Sequence, residues 1–182
     1  LSKKDVYAHP KYVAALVDYI ADDFQHSRVA LGDSTIGGMI VCDSSDQARM
    51  VDQELNRYSQ VSHILILHDV EDKETRRRYT DDFKKGKIDL LVVYNMLLTG
   101  FVAPRLKKQY LGRVIKEHNL LQTLTRVNRP YKAFRYGYVV DFADIRAEFD
   151  KTNQAYFKEL QAELGDEFER YSNIFKSREE VE

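Results

Sequence analysis

Apolar residues recur along the chain with two alternating periods. Val13, Leu16, Val17, Ile20 and Phe24 follow three-to-four spacing, which predicts an amphipathic helix over 10–26. Residues 27–35 are polar and read as a linker. Gly37-Gly38 then leads into Met39-Ile40-Val41-Cys42, a short apolar run of strand type. Asp43-Ser44-Ser45-Asp46 offers several N-caps for a helix with Ala48, Val51, Leu55 and Tyr58 on one face. Ile64-Leu65-Ile66-Leu67 predicts a second strand, and 72–85 a charged helix with Tyr79 and Phe83 as a sparse apolar edge. Ile88 to Tyr94 is nearly all apolar, as expected of a central parallel strand covered on both faces. A shorter strand at 109–111, a helix over about 118–128 stopped by Pro130, and a strand at 138–142 continue the alternation. Ile145, Phe149, Tyr156, Leu160 and Leu164 then predict a helix. Gly165 interrupts it, and Asp166 with Glu169 forms the capping box of a second helix carrying Phe168, Tyr171 and Phe175.

Strands alternating with helices predict an α/β fold, a parallel sheet with crossover helices on both faces. The expected division is one lobe over 1–145 and a helical extension over 146–182, packing on the lobe or on a neighbour. A chain of 182 residues suffices for one such core plus an appendage. Its 43% hydrophobic and 31% charged residues describe a globular protein. No apolar run is long enough to cross a membrane, and no secretory signal is expected. The first residue is Leu1, so a piece of a longer protein is expected.

A net charge of −1 excludes a DNA-coating protein that works through its overall field, and leaves local patches to make any nucleic-acid contact. The single cysteine, Cys42, lies in an apolar strand and reads as a buried inert thiol, which fits a reducing cytoplasm. Five scattered histidines show no metal-ligand spacing, so no metal site is expected.

Ligands of parallel sheets bind at the carboxyl ends of the strands, where three polar segments are predicted. In the helix at 118–128, Gln122, Arg126 and Arg129 fall within an arc of about 60°. Leu120, Leu124 and Val127 occupy the opposite side and should hold the helix to the sheet. Two guanidiniums presented together suit a polyphosphate, because each offers a planar fork of donors and a permanent charge. Arginines in a last helical turn also favour the negative dipole end and can simply face water. In the second segment, Leu97 to Pro104, Thr99-Gly100 would expose a hydroxyl and backbone amides to a phosphate. In the third, Ser44 and Ser45 open a helix and could cap it or meet a nucleic-acid phosphate. Basic clusters occur at Arg76 to Arg78, at Lys84, Lys85 and Lys87, and at Arg105, Lys107 and Lys108. The last lies beside the Thr-Gly turn and is the preferred DNA-backbone candidate. The sequence contains neither a Gly-x-x-x-x-Gly-Lys-Ser/Thr phosphate loop nor a strand ending in an Asp-Glu pair, so this chain cannot be a complete NTPase.

Taken in order, "GGMIVCDSSDQAR", "KIDLLVVYNMLLTGFVAPRL" and "HNLLQTLTRVNRPYKAFRYGYVVDF" resemble motifs IV, V and VI of superfamily 2 helicases, and in particular the motor subunit of type I restriction enzymes. The resemblance covers roughly 36–145. It implies a RecA-like second lobe, a phosphate-loop NTPase fold without the phosphate loop. It also implies that ATP and Mg2+ are bound mainly by a first lobe, and that neither is expected on this fragment alone. Arg126 and Arg129 would act as arginine fingers on the γ-phosphate, and Gln122 would orient them or touch nucleotide. Gly100 would couple the nucleotide cleft to DNA, with Thr99 near a backbone phosphate. The implied partners are double-stranded DNA, a first helicase lobe with a nuclease domain, and modification and specificity subunits. The family has Asp where this chain has Val102, which puts the coupling of the nucleotide-side loop in question. Two other readings stay open: a binding module that has lost catalytic duty, and the lobe of a different superfamily 2 DNA helicase.

Overall fold

The computed structural model describes residues 3–68, 70–94, 103–113, 123–142 and 175–176. Its elements are α1 (Lys3–Tyr7), α2 (Pro10–Ala30), β1 (Gly37–Val41), α3 (Ser45–Leu55), β2 (His63–Ile66), α4 (Lys73–Lys84), β3 (Leu90–Val93), β4 (Leu106–Leu111), β5 (Tyr138–Asp141) and β6 (Phe175–Lys176). Residues 123–127 form a further helical segment between β4 and β5, the arginine helix.

The strands form one sheet in the order β2-β3-β1-β4-β5-β6, and every pairing is parallel. The chain leaves β1 toward β2 on one side and later lays β4 on the other. The strand order therefore reverses beside β1, as in doubly wound sheets. α2 and α3 bury Val13, Leu16, Val17, Ile20, Phe24, Ala48, Val51 and Leu55 against one face, with Ile40, Val92, Tyr110 and Val140. α4 and the arginine helix cover the other, where Phe83, Leu124 and Val127 pack with Met39, Val41, Leu91, Leu111 and Val139. Covered on both faces, β1 and β3 are buried throughout, which is why their sequences are continuous apolar runs rather than alternating ones.

Local chemistry sets the helix ends. Pro10 starts α2 behind a His9 cap whose Nδ1 accepts from the Lys11 amide at 3.2 Å. Asp72 caps α4 by accepting from the Thr75 amide at 2.6 Å. α2 runs to Ala30, beyond the predicted end at 26 and into the expected linker. The Arg28 guanidinium supplies the reason: it donates to the Ile36 carbonyl at 2.8 Å and to Asp89 at 2.6 Å, tying the extra turn to the sheet. Phe175 is a correction to the predicted C-terminal helix. With Lys176 it pairs parallel to Val139 and Val140, because the outer edge of β5 offers unpaired backbone groups that outweigh local helix propensity.

Near its start β4 carries an irregularity. Gly37 is in register with Leu106 and Gly38 with Lys108, so Lys107 is an extra residue opposite β1. The insertion resets the alternation: Leu106 and Leu111, five apart, both join the cluster on the arginine-helix face.

Candidate functional site

The arginine helix lies on the sheet through Leu124 (6% exposed) and Val127 (0%), as the three-to-four spacing predicts. Its two arginines divide in exposure. Arg129 is at the surface, whereas Arg126 is only 9% exposed, where the sequence expectation had both pointing outward. Burial, and then the adjacent positive charge of Arg129, push the Arg126 guanidinium below its ordinary range. Among the described residues no hydrogen bond or ion pair reaches either guanidinium. Two like charges, one desolvated and neither neutralised by a described acid, form a local deficit that an anion with several oxygens would relieve. Between them sits Asn128, 6% exposed, whose carboxamide oxygen and nitrogen are both buried without a partner. The Oε1 of Gln109, on β4, is also unpaired.

Three sets of contacts fix the end of this helix. First, the Lys107 ammonium donates to the carbonyl of Val127 at 2.9 Å and to that of Arg129. Second, Gly137 lies so close that a Cβ there would sit 2.4 Å from both Cβ and O of Val127. Third, the turn after Pro130 is clamped to the loop before β1. The Tyr131 hydroxyl lies 2.6 Å from Thr35 Oγ1, and the Lys132 ammonium reaches Thr35 Oγ1 and Asp33 at 2.9 Å each. Lys132 adopts φ 52°, left-handed backbone that is uncommon outside glycine. Hydrogen bonds from Thr35 and Lys132 hold the Asp33 carboxyl down at about 2.

These contacts place the last turn of the arginine helix at the amino edge of the sheet, beside the starts of β4 and β5. The expectation of a carboxyl-edge site therefore does not describe Arg126 and Arg129. It does describe Ser44 and Ser45, which follow β1 at its carboxyl end. Ser44 caps α3, its Oγ accepting from the Gln47 amide at 3.0 Å, and its hydroxyl proton stays available to donate. Gln47 is fully buried and braces the same corner, accepting from the Asp43 amide at 2.7 Å and donating to the Tyr7 carbonyl at 2.9 Å. Thr99, Gly100, Val102 and Gln122 lie outside the described residues.

The expected DNA patch of Arg105, Lys107 and Lys108 is corrected. All three are buried, at 5%, 0% and 5% exposure, and all are engaged within the chain. Arg105 donates to the carbonyls of Thr35, Phe83 and Ile88 at 2.9, 2.8 and 2.6 Å and covers the Phe83 ring. Lys108 pairs with Asp23 at 2.8 Å, alongside the Tyr110 hydroxyl, which donates to the same carboxylate at 2.7 Å. A phosphate backbone has no access to cations held this way.

Asp33, Thr35, Tyr131 and Lys132 were not anticipated. Asp33-Ser34-Thr35 carries a local signal, since Asp33 accepts from the Thr35 amide at 2.7 Å as in an Asx-turn. Its tie to residues almost a hundred positions away carries none. Among the described residues no three His, Cys, Asp or Glu side chains converge on a metal-sized site, and no helix is long and apolar enough to cross a membrane. Cys42 is fully buried, and burial followed by the Asp43 charge pushes its thiol far above the usual range.

Comparison with known proteins identifies the family and the fold. The family model described as type I restriction enzyme subunit R domain 3 matches residues 13–144. Two proteins of Methanocaldococcus jannaschii, named as type I restriction enzyme endonuclease subunits, are similar. MjaVIIP is 37% identical over 92 residues, 50% of this chain, and MjaIXP is 27% identical over 182, 90% of this chain. The alignments span 8% and 18% of those relatives' own lengths. Among solved structures, domain 2 of the DEAD-box helicase Mss116p, bound to an RNA duplex, superposes with a TM-score of 0.55 at 15% identity, covering 87% of this chain and 66% of that one. The fold is the RecA-like lobe of helicases.

Proposed function

The chain belongs to the type I restriction enzyme subunit R family, matching its domain 3, and from that premise we propose that it is the second motor lobe of an ATP-dependent double-stranded DNA translocase. One observation carries the reading: Arg126, on a helix anchored at both its apolar face and its end, feels the charge of Arg129 just beyond that end, and no described carboxylate neutralises them. A cation pair with this deficit fits a polyphosphate. It need not lie in a carboxyl-edge crevice of its own sheet, because the nucleotide would be carried by the facing first lobe with the phosphate loop and the Mg2+-binding acids. ATP, when bound there, supplies the phosphoryl group whose hydrolysis drives movement.

The residues of this chain then have defined work. Arg126 and Arg129 donate to the γ-phosphate oxygens and stabilise the charge that grows on them in the transition state. The desolvation of Arg126 strengthens its interaction with that charge. Asn128 is placed to acquire a hydrogen-bond partner when the lobes close. The Ser44 hydroxyl, at the α3 N-terminus, donates to a DNA backbone phosphate, with Ser45 beside it. Thr99, Gly100 and Gln122 keep the roles the motif resemblance assigns them. Modification and specificity subunits would supply the recognition sequence, and a nuclease domain the cleavage.

The test is DNA-stimulated ATP turnover by the full-length subunit that carries this lobe. Arg126→Ala and Arg129→Ala should each lower kcat by about 10³-fold or more. Folding should survive, because no described acid depends on either guanidinium. Turnover retained in both variants refutes the assignment. Loss of turnover with DNA binding intact separates a motor role from that of a binding module.

A further inference from the structure

We infer that Lys107 is the positioning residue that sets the reach of Arg129, an assignment that rests on the motor reading above. Lys107 is the extra residue of the bulge, opposite neither Gly37 nor Gly38 of β1, and the β5 pairing begins only at Lys108 with Tyr138. Bulges turn a side chain out of the regular alternation. This one sends a lysine beneath the arginine helix.

The side chain is completely buried, and among the described residues no acid pairs with it. Its ammonium donates to the carbonyls of Val127 and Arg129, the residues flanking Asn128. Those are orphan acceptors at a helix C-terminus, where the backbone dipole is negative. A cation suits them, and only a long unbranched side chain reaches them from the strand. Burial holds the ammonium down at about 8, so the position is a costly one for lysine. A methionine would fill the same space without that cost, yet could not grip the backbone on either side of Asn128.

The mechanical consequence follows from which parts are rigid. β4 is an interior strand, paired to β1 and β5. The arginine helix has only one described turn and depends on outside contacts for its orientation. Gly137 allows close approach, and the Tyr131–Lys132 clamp holds the chain beyond Pro130. Lys107 grips the arginine-bearing backbone itself, at the residue before Asn128 and at Arg129. Releasing it frees Arg129 to shift by a fraction of a turn, and about 1 Å of misplacement costs a catalytic group on the order of 10²-fold.

A double-mutant cycle in the full-length subunit tests this, with DNA-stimulated ATP turnover as the readout for Lys107→Met, Arg129→Ala and the pair. Lys107→Met should lower kcat by about 10- to 100-fold with KM for ATP changed less than about twofold, because misplaced fingers weaken transition-state rather than ground-state binding. In the Arg129→Ala background the same change should have little further effect. Lys107→Gln, which keeps two N–H donors, should fall between wild type and Met; it carries the test if the Met variant does not fold. Wild-type kcat in Lys107→Met, with Arg129→Ala impaired, overturns the positioning role and leaves the motor reading standing. Equal losses from Lys107→Met in both backgrounds also overturn it, since the lysine would then act on something other than the arginine. Wild-type turnover in Arg129→Ala removes the finger and the positioning role together.

Discussion

Replacing Gly137 with alanine tests the packing of the arginine helix at one atom. The added Cβ would lie 2.4 Å from Val127 Cβ, 2.4 Å from Val127 O and 2.9 Å from Lys107 O. Carbon atoms out of bonding contact rest at about 3.5–4.0 Å, so relief demands a displacement above about 1 Å. The obstacles are a backbone carbonyl on each side and a β-branched side chain, none of which can rotate away. Gly137 does not occupy left-handed backbone, so alanine meets no φ strain there and would by itself gain about 0.4–1 kcal/mol from a less flexible unfolded chain. The steric term opposes this with about 1–3 kcal/mol of overpacking, or more where relaxation is blocked. A net loss of about 1–2 kcal/mol is expected, read as a lower urea midpoint for the chain with an unchanged slope. Where relief lifts Val127 from β4, ATP turnover in the full-length subunit should fall by about 10²-fold. An alanine variant with wild-type midpoint and wild-type turnover refutes the account of how this helix is seated.

Three further outcomes follow from the same neighbourhood. Lys107 drops from its ordinary 10.5 to about 8 on burial. Between those values the unfolded chain holds one more proton than the folded chain, so stability relative to Lys107→Met should rise with pH over that window, by at most about 3 kcal/mol, in urea titrations at pH 7.5 and 10; a flat difference contradicts it. Asp33 is depressed from 3.8 to about 2, so its contribution is complete above about pH 4 and lost as pH falls through 2. Asp33→Asn should lower the thermal midpoint at pH 6 and lose less than wild type on acidification from pH 4 to 2, and equal acid sensitivity would contradict the clamp. Asn128→Leu removes a buried carboxamide that has no partner and should raise stability by about 1–3 kcal/mol in urea unfolding while slowing turnover. A destabilised variant would mean the amide is already satisfied.

Much of the scaffold could be read locally. β1 and β3 announce themselves as apolar runs because helices cover both faces, and α4 keeps its register through Phe83 and Tyr79 alone. The Leu124 and Val127 stripe correctly set which side of the arginine helix meets the sheet. β4 resisted the same reading. Leu106-Lys107-Lys108-Gln109 looks like an exposed basic segment, since lysine is almost never fully buried without a partner. The partners exist, but they lie 20 to 85 residues away: Val127 and Arg129 for Lys107, Asp23 for Lys108. No window of sequence contains them. The bulge at Lys107 and the clamp from Lys132 to Asp33 are likewise products of register and topology, which hydrophobic periodicity does not encode. The burial of Arg126 was not legible, because helix periodicity gives direction and not depth.

The finger assignment is tested most directly by a structure of the full-length subunit bound to duplex DNA, ADP, Mg2+ and aluminium fluoride, which mimics the phosphoryl group in flight. The guanidiniums of Arg126 and Arg129 should lie within about 2.7–3.1 Å of the fluoride ligands, reaching across from this lobe. Both guanidiniums turned away from the nucleotide, with another residue against the fluoride, would contradict it.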